Sequence, residues 1–365
     1  MDERNELQSI IERFGTDLGV AMKAAERSRK PRRRRPVALG ALLAAGAATA
    51  AVLLVLLAGH GNGVIPNANA APLVRAARAA LRQPSLFPRN NQYYYVRTEG
   101  TQPTGMSIGV STPGVKAGGP GVTAVETVIV DRWQSATRTG LQRTRVAALH
   151  FESADDATAW KRNHGTKPGT TSSFRLPGSN GEYYIDIGHD GQLTRPQVLA
   201  LPSIPKALYA RLMPSKKLIA RFLHQATAND RAQLKQLEAE YGTLKNYLAW
   251  DAFNAIESTF EQGPMPPTLR SGLFGALALI PGVTDIGLDQ DLAGRTGAAV
   301  TFTDRYRHIR TELIFDPQTS ALLGIRQTVT RTGGGFHKGA VVENLSYLNE
   351  AVTNTLTIPH TKQIH

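Results

Sequence analysis

One pentapeptide in the chain matches a nucleophile motif: Gly105-Met106-Ser107-Ile108-Gly109 fits G-x-S-x-G. That elbow works when a strand leads in and a helix leads out, so that the serine Oγ stands clear at the helix start. Here Val110-Ser111-Thr112-Pro113-Gly114 follows, where no helix can begin, so Ser107 is expected to be idle. The nine histidines are scattered, with no H-x-x-x-H or H-E-x-x-H spacing to build a zinc site on one helix. His150-Phe151-Glu152 puts two polar groups on one face of a strand, which an exposed strand face produces without any metal. Asp285, Asp289 and Asp291 offer oxygens to calcium, but the other positions of an EF-hand loop are missing, so a solvated strand end and turn is expected. His189-Asp190-Gly191 reads as a turn, and Gly333-Gly334-Gly335 as a flexible loop. No P-loop or G-x-G-x-x-G is present, and cysteine is absent, which removes disulfides, thiolate metal sites and Cys nucleophiles. Paired carboxylates for glycoside hydrolysis meet only in space and stay open at this level. The expectation is a protein with no catalytic residue, no cofactor and no metal: not an enzyme.

The elements that would carry these residues fall into three blocks. Gln92-Tyr93-Tyr94-Tyr95-Val96-Arg97-Thr98, Val122 to Trp133 and Arg143 to Phe151 are rich in strand formers, with a polar turn around Ser135-Ala136-Thr137. Residues 100–121 read as a long loop, Ser153 to Trp160 as a short helix, and Phe174 to Ile187 as a further strand. About 205–280 is helical, punctuated by Pro214, Gly242, Pro264 and Pro281. Strands then return at Ala298–Thr303, Ile309–Phe315, Leu322–Thr330 and Val341–Tyr347, with Asp316-Pro317-Gln318-Thr319-Ser320 as a hairpin turn. Ile309, Thr311, Leu313 and Phe315 should share one face, and Arg310, Glu312 and Ile314 the other. The fold class expected is α+β: an antiparallel sheet interrupted by a central helical block and preceded by one transmembrane helix.

That helix is Val37 to Gly59, 23 residues without a charge. At about 1.5 Å per residue it would span roughly 34 Å, enough for a bilayer core of about 30 Å. Seven of the nine residues from Arg27 to Arg35 are basic, ending in Arg32, Arg33, Arg34 and Arg35, and no Lys or Arg follows the span until Arg75. This asymmetry predicts a single-pass protein of the cell membrane with its N-terminus cytoplasmic and its main domain extracytoplasmic. Cleavage of an export signal after Ala68-Asn69-Ala70 is the rival reading, and the long n-region and apolar run favour retention. The net charge of +13 is thereby partly a topology signal, and without a basic patch interleaved with aromatics it does not predict nucleic-acid binding.

The expected organisation is a cytoplasmic amphipathic basic arm (1–36), the span (37–59), a linker (60–70) and an extracytoplasmic domain (71–365). In the arm, Leu7, Ile10, Phe14 and Leu18 make one apolar helical stripe too small to fold alone. It should rest on membrane lipid or grip a cytoplasmic regulator.

Gln92–Thr98, Leu201-Pro202, Ala252–Ile256, Pro266–Arg270, Ala276–Val283, Glu312–Pro317 and Leu322–Gly324 together resemble an uncharacterised family of actinobacterial single-pass membrane proteins. Its members are often encoded beside extracytoplasmic-function sigma factors. The resemblance implies the same topology and α+β architecture and supplies no catalytic motif. The expected function is a membrane-anchored sensing or binding module, linked to sigma-factor signalling. Two alternatives stand behind it: a lipid or lipoprotein carrier at the outer face of the membrane, and a secreted hydrolase. A small-molecule or lipid ligand is expected, and its identity is left open.

Overall fold

The computed structural model describes residues 70–103, 124–151, 154–162, 167–176, 182–184, 187, 192–214, 219–220, 223–224, 228–332 and 336–359. Leu7, Ile10, Phe14, Leu18, Arg32, Arg33, Arg34, Arg35, the 37–59 span, Ser107, Glu152 and His189 lie outside them. Among the described residues no helix is long and apolar enough to cross a membrane.

The chain runs α1 (Ala71–Ala80), β1 (Tyr93–Pro103), β2 (Ala124–Gln134), β3 (Gly140–Phe151), α2 (Ala154–Arg162), β4 (Thr171–Leu176), β5 (Glu182–Tyr184), β6 (Gln192–Thr194), α3 (Arg195–Leu199) and α4 (Pro205–Leu212). It continues with α5 (Ala228–Tyr241), α6 (Leu244–Gln262), α7 (Pro267–Leu277), β7 (Thr284–Gln290), β8 (Thr296–Asp304), β9 (Ile309–Phe315), β10 (Leu322–Val329) and β11 (Val341–Thr353). Two compact units result. One takes in Pro214–Ala239, described chiefly as α5; the other joins Pro66–Met213 to Glu240–His365 and holds the sheet.

That sheet is a single antiparallel layer of nine strands in the order β4-β3-β2-β1-β11-β10-β9-β8-β7. The first and last strands pair at its centre, Tyr93 opposite Thr353 through Thr101 opposite Asn344. Two meanders, β1–β4 and β7–β11, are thus fused into one sheet, and the helices between them return across it. The fold is the expected α+β arrangement with a large antiparallel sheet and helices.

Helices α1, α4, α6 and α7 bury one face of the sheet in a common core that includes Leu73, Leu208, Phe253, Phe274, Phe302, Leu313 and Phe315. Pro267 opens α7, where a missing N–H costs nothing. The helix is apolar nearly all round, as a fully buried helix must be. Gly272 and Gly275 let it approach α4: a Cβ at Gly272 would lie 2.6 Å from Ser203 O, and one at Gly275 2.4 Å from Pro205 Cγ. The opposite face, the more open of the two, carries two smaller buried clusters: Tyr93, Tyr95, Trp133 and Ala351 pack with Leu356 of the C-terminal segment, and Ala299, Ile314 and Leu323 pack together farther along the sheet.

Three sequence expectations need correction. Phe174 to Ile187 is not one strand: β4 ends at Leu176 and β5 begins at Glu182 in a separate two-stranded ribbon with β6. The predicted loop 100–121 begins later, since β1 runs to Pro103. The stretch around Asp285–Asp289, expected as a strand end and turn, is the edge strand β7, interrupted by a bulge at Gly287, whose φ is +87°. The hairpin β9–β10 does follow the expected faces, with Leu313 and Phe315 in the helix-covered core. Its turn is held by Asp316, which accepts from Gln318 N at 2.7 Å and Thr319 Oγ1 at 2.6 Å.

Candidate functional site

β11 carries one extra residue at its centre: Tyr347 pairs with Thr98 and Asn349 with Arg97, leaving Leu348 unmatched. A bulge shifts the alternation of a strand by one position. Tyr347 and Glu350 therefore both face the helices, although an unbroken strand would put them on opposite faces.

Glu350 forms the floor of a cavity of about 210 Å³ between the end of α1, the 83–86 segment, the start of α7 and β11. Its walls are largely apolar, with Pro84, Leu86, Met265 and Pro267 among them. Arg270 Nη2 lies 3.5 Å from Glu350 Oε2, and both side chains are buried, at 13% and 3% exposure. Glu350 Oε2 has no hydrogen bond. The Tyr94 hydroxyl faces the same carboxylate, and burial, followed by the charge of Glu350, pushes its pKa well above the ordinary value. An apolar recess with a few convergent polar groups at its base is the usual form of a small-molecule site.

A second group of acids lies under α6 on the same face. Glu257 and Glu261, one turn apart, stand over Glu343 and Tyr347 of β11. Burial, and then repulsion by Glu261, raises Glu343 to about 8. Burial likewise raises Glu261 to about 7 against the pull of Arg132, and raises Glu257 well above the usual range, with Glu261 and Glu343 adding to it. Arg132 on β2 donates through Nη2 to the Glu261 carbonyl at 3.0 Å, while Arg307 and a hydrogen bond from Gln327 favour the charged form of Glu257. Clustered perturbed carboxylates mark functional positions more often than chance.

The residues singled out in the sequence do not assemble. His150 sits exposed on β3. Asp285 accepts from Gly287 N, Asp289 binds Arg326, and Asp291 is tied to Arg295, so the three acids point to three different partners and not to one calcium ion. Among the described residues no three His, Cys, Asp or Glu side chains converge on a metal position. Sequence reasoning missed Arg270, Glu350 and the Glu257–Glu261–Glu343 group. The legible sign was a charge embedded in an apolar element: such residues are almost never buried without a partner or a task. Comparison with protein-family models, with curated proteins and with solved structures finds no match.

Proposed function

We propose that the chain is a membrane-anchored extracytoplasmic binding module that senses a small amphiphile, with its ligand seated in the recess above Arg270 and Glu350. The observation that carries this reading is an apolar recess lined at one side by the buried Arg270–Glu350 pair. Arg270 would steady a polar group of the ligand, and an apolar body would lie against Leu86, Met265 and the two prolines. The anchor rests on the uncharged 37–59 stretch and the arginine run before it, and a link to sigma-factor signalling on the family resemblance.

The lipid-carrier alternative fits the same topology but not the same volume. At about 30 Å³ per water, 210 Å³ holds roughly seven waters, and small-molecule pockets usually run from about 300 Å³ upward. A diacyl lipid would not fit. The test is native mass spectrometry of the full-length chain released in mild detergent. A bound species of roughly 100–200 daltons, the size that about 210 Å³ admits, lost in Arg270→Met and Glu350→Gln, supports the sensor. A stoichiometric diacyl lipid supports the carrier instead, and a ligand-free protein in every preparation removes both.

A further inference from the structure

The open face of the sheet divides into two halves that handle arginine differently. Across β7–β10 and the 291–295 turn, Arg295, Arg310 and Arg326 are each bonded to a carboxylate, from Asp291, Glu312 or Asp289. Across β1–β4 Arg97 is held in the same way by Asp131. Arg138, Arg143, Arg145 and Arg175 differ: all four are exposed, and none forms an ion pair among the described residues.

Register places these four on one face. Arg143 lies across from Asp131, and Arg145, two residues on, lies across from Ile129. Arg175 of β4 lies across from Leu141, which packs with the Tyr93, Tyr95 and Trp133 cluster. Arg143 lies across from Ser173, so Arg143 and Arg175 are diagonal neighbours, with Cβ atoms about 7–8 Å apart. Rings of that cluster steady two of the guanidiniums: Arg143 sits 5.3 Å over Trp133, and Arg138 4.6 Å over Tyr93. Arg138 Nη1 also donates to the Asn91 and Asn354 carbonyls, each at 3.2 Å. Glu99 on β1, across from Ile129, stands two strands away from Arg145. Four unmatched cations thus share a face with one unmatched acid, a cluster that no linear run of the sequence reveals.

Three observations indicate what covers it. The cations spread over β3, β4 and the turn before β3 without converging on a recess, which suits an extended anionic surface and not a single bound ion. Ile358, 41% exposed, follows Thr357, whose carbonyl accepts from Trp133 Nε1 at 3.1 Å, so an exposed apolar side chain accompanies the guanidiniums. A bilayer of anionic lipid takes both, the cations at its headgroups and the apolar group at the acyl boundary, whereas a soluble polyanion offers nothing to Ile358. The third observation is reach. Ten residues, 60–69, separate the uncharged 37–59 stretch from Ala70, which leads into α1 on the helix-covered side. At about 3.6 Å each they reach at most about 36 Å, more than the roughly 20 Å through one helix and one sheet layer. We propose that the β1–β4 half of the open face docks on an anionic lipid surface through Arg138, Arg143, Arg145 and Arg175. This rests on the anchored reading above and not on the Arg270 recess. Docked in this way, the sheet turns its helix layer away from the bilayer.

The test reconstitutes the full-length chain in nanodiscs of phosphatidylcholine alone, or of one part phosphatidylglycerol to two parts phosphatidylcholine. Phenylglyoxal labelling of each arginine is followed by mass spectrometry. In the anionic discs Arg143, Arg145 and Arg175 should label about tenfold more slowly than in the neutral ones, while the exposed Arg305 of the β8–β9 turn labels equally in both. The protection should vanish at about 1 M salt, where the Debye length is about 3 Å. Arg145→Gln with Arg175→Gln removes two side chains that bond to nothing in the domain, and should return Arg138 and Arg143 close to their neutral-disc rates. Equal labelling in both lipids, equal protection of Arg305, or full protection of Arg143 in the double variant would each overturn the proposal. So would the same protection in neutral discs on adding heparin, which would make the partner a soluble polyanion. Retention of the chain by neutral discs reads the anchor separately, so failure of the anchored reading and failure of the docking are told apart. Arg270→Met should leave every labelling rate on this face unaltered.

Discussion

Glu350 apart, which pairs with Arg270 under the helices, the two faces of the central sheet treat their buried carboxylates differently. On the open face Asp131, Glu312 and Asp291 each meet an arginine delivered by strand register or by a short loop. Asp131 lies directly across from Arg97 and takes both its Nε and Nη2, at 2.7 and 2.9 Å, with the Tyr95 hydroxyl at 2.6 Å. Glu312 lies across from Arg326, and Asp291 takes Arg295 Nε at 2.9 Å. On the helix-covered face Glu257, Glu261 and Glu343 crowd together with cations only at the margin, and their pKa values rise. Pairing across a sheet is a local consequence of sequence and register. Crowding like charges in a core has an electrostatic cost that the surrounding packing must offset, and such an arrangement survives where it serves a purpose.

The contrast depends first on the helix-covered core being the main source of stability. Phe315 is 1% exposed and packs in a tilted arrangement against Phe274 of α7, ring centroids 5.1 Å apart. Phe315→Ala should cost about 3–5 kcal/mol, read from the shift in a urea melt. Wild-type melting of that variant would mean that the helices contribute little to holding the sheet.

The next effect belongs to the open face. Arg295 reaches from the 291–295 turn across the strands, donating through Nη2 to Leu323 O at 2.9 Å and Tyr347 O at 2.7 Å. Arg295→Leu strands Asp291, whose side chain is 0% exposed, and removes both carbonyl partners. The expected loss is about 3 kcal/mol by the same melt, since a buried charge left alone is costly. A loss below about 1 kcal/mol would show that water reaches Asp291 and that this face is not stabilised by its pairs.

How much of this was legible follows the same division. Alternation in Ile309–Phe315 gave the two faces of β9, and the turn residues of Asp316–Ser320 gave the hairpin, because both signals are local. β7 was obscured by its Gly287 bulge and its acids, which suggest solvent, although Asp289 is drawn to Arg326 three strands away. The 174–187 segment read as one strand because its aromatic residues mask the break after Leu176. The Glu350 recess and the buried acid group both escaped the sequence for a physical reason. Glu350 faces the helices only because of the bulge at Leu348, and Glu257 meets Glu343 only once α6 docks on β11. Neither event leaves a periodic trace.

The helix-covered acids also make stability depend on pH in a defined direction. Glu343 titrates at about 8 in the folded chain against 4.5 as the ordinary value, so the native state keeps protons that the unfolded chain has released. The associated stabilisation is complete below about pH 4.5 and is lost as pH rises through about 7 to 8. Stability should fall by on the order of 2–3 kcal/mol between pH 5 and 8.5. Glu261→Gln with Glu343→Gln should flatten the profile. An unchanged slope in the double variant would place the pH dependence elsewhere and remove the distinction between the faces.

The smallest effect is the sharpest test of pairing on the open face, because it compares two arginines on one acid. Glu312 is almost wholly buried, at 2% side-chain exposure, and each of its oxygens has its own cation: Arg310 Nη2 at 2.6 Å from Oε1 and Arg326 Nε at 2.6 Å from Oε2. Arg310 is 46% exposed and solvent screens its bond, whereas Arg326 is 22% exposed and also serves Asp289. Arg310→Ala should therefore cost at most about 0.5 kcal/mol, the ordinary scale of a surface pair. Arg326→Ala should cost more, on the order of 1–2 kcal/mol, because a buried carboxylate loses its better-shielded partner and β7 loses its tie to β10. The double variant should exceed the sum of the two, since each arginine partly covers for the other on a shared acid. Strict additivity would mean that Glu312 is held by its surroundings and not by its cations, and the open face would then owe its order to packing, as the helix-covered face does.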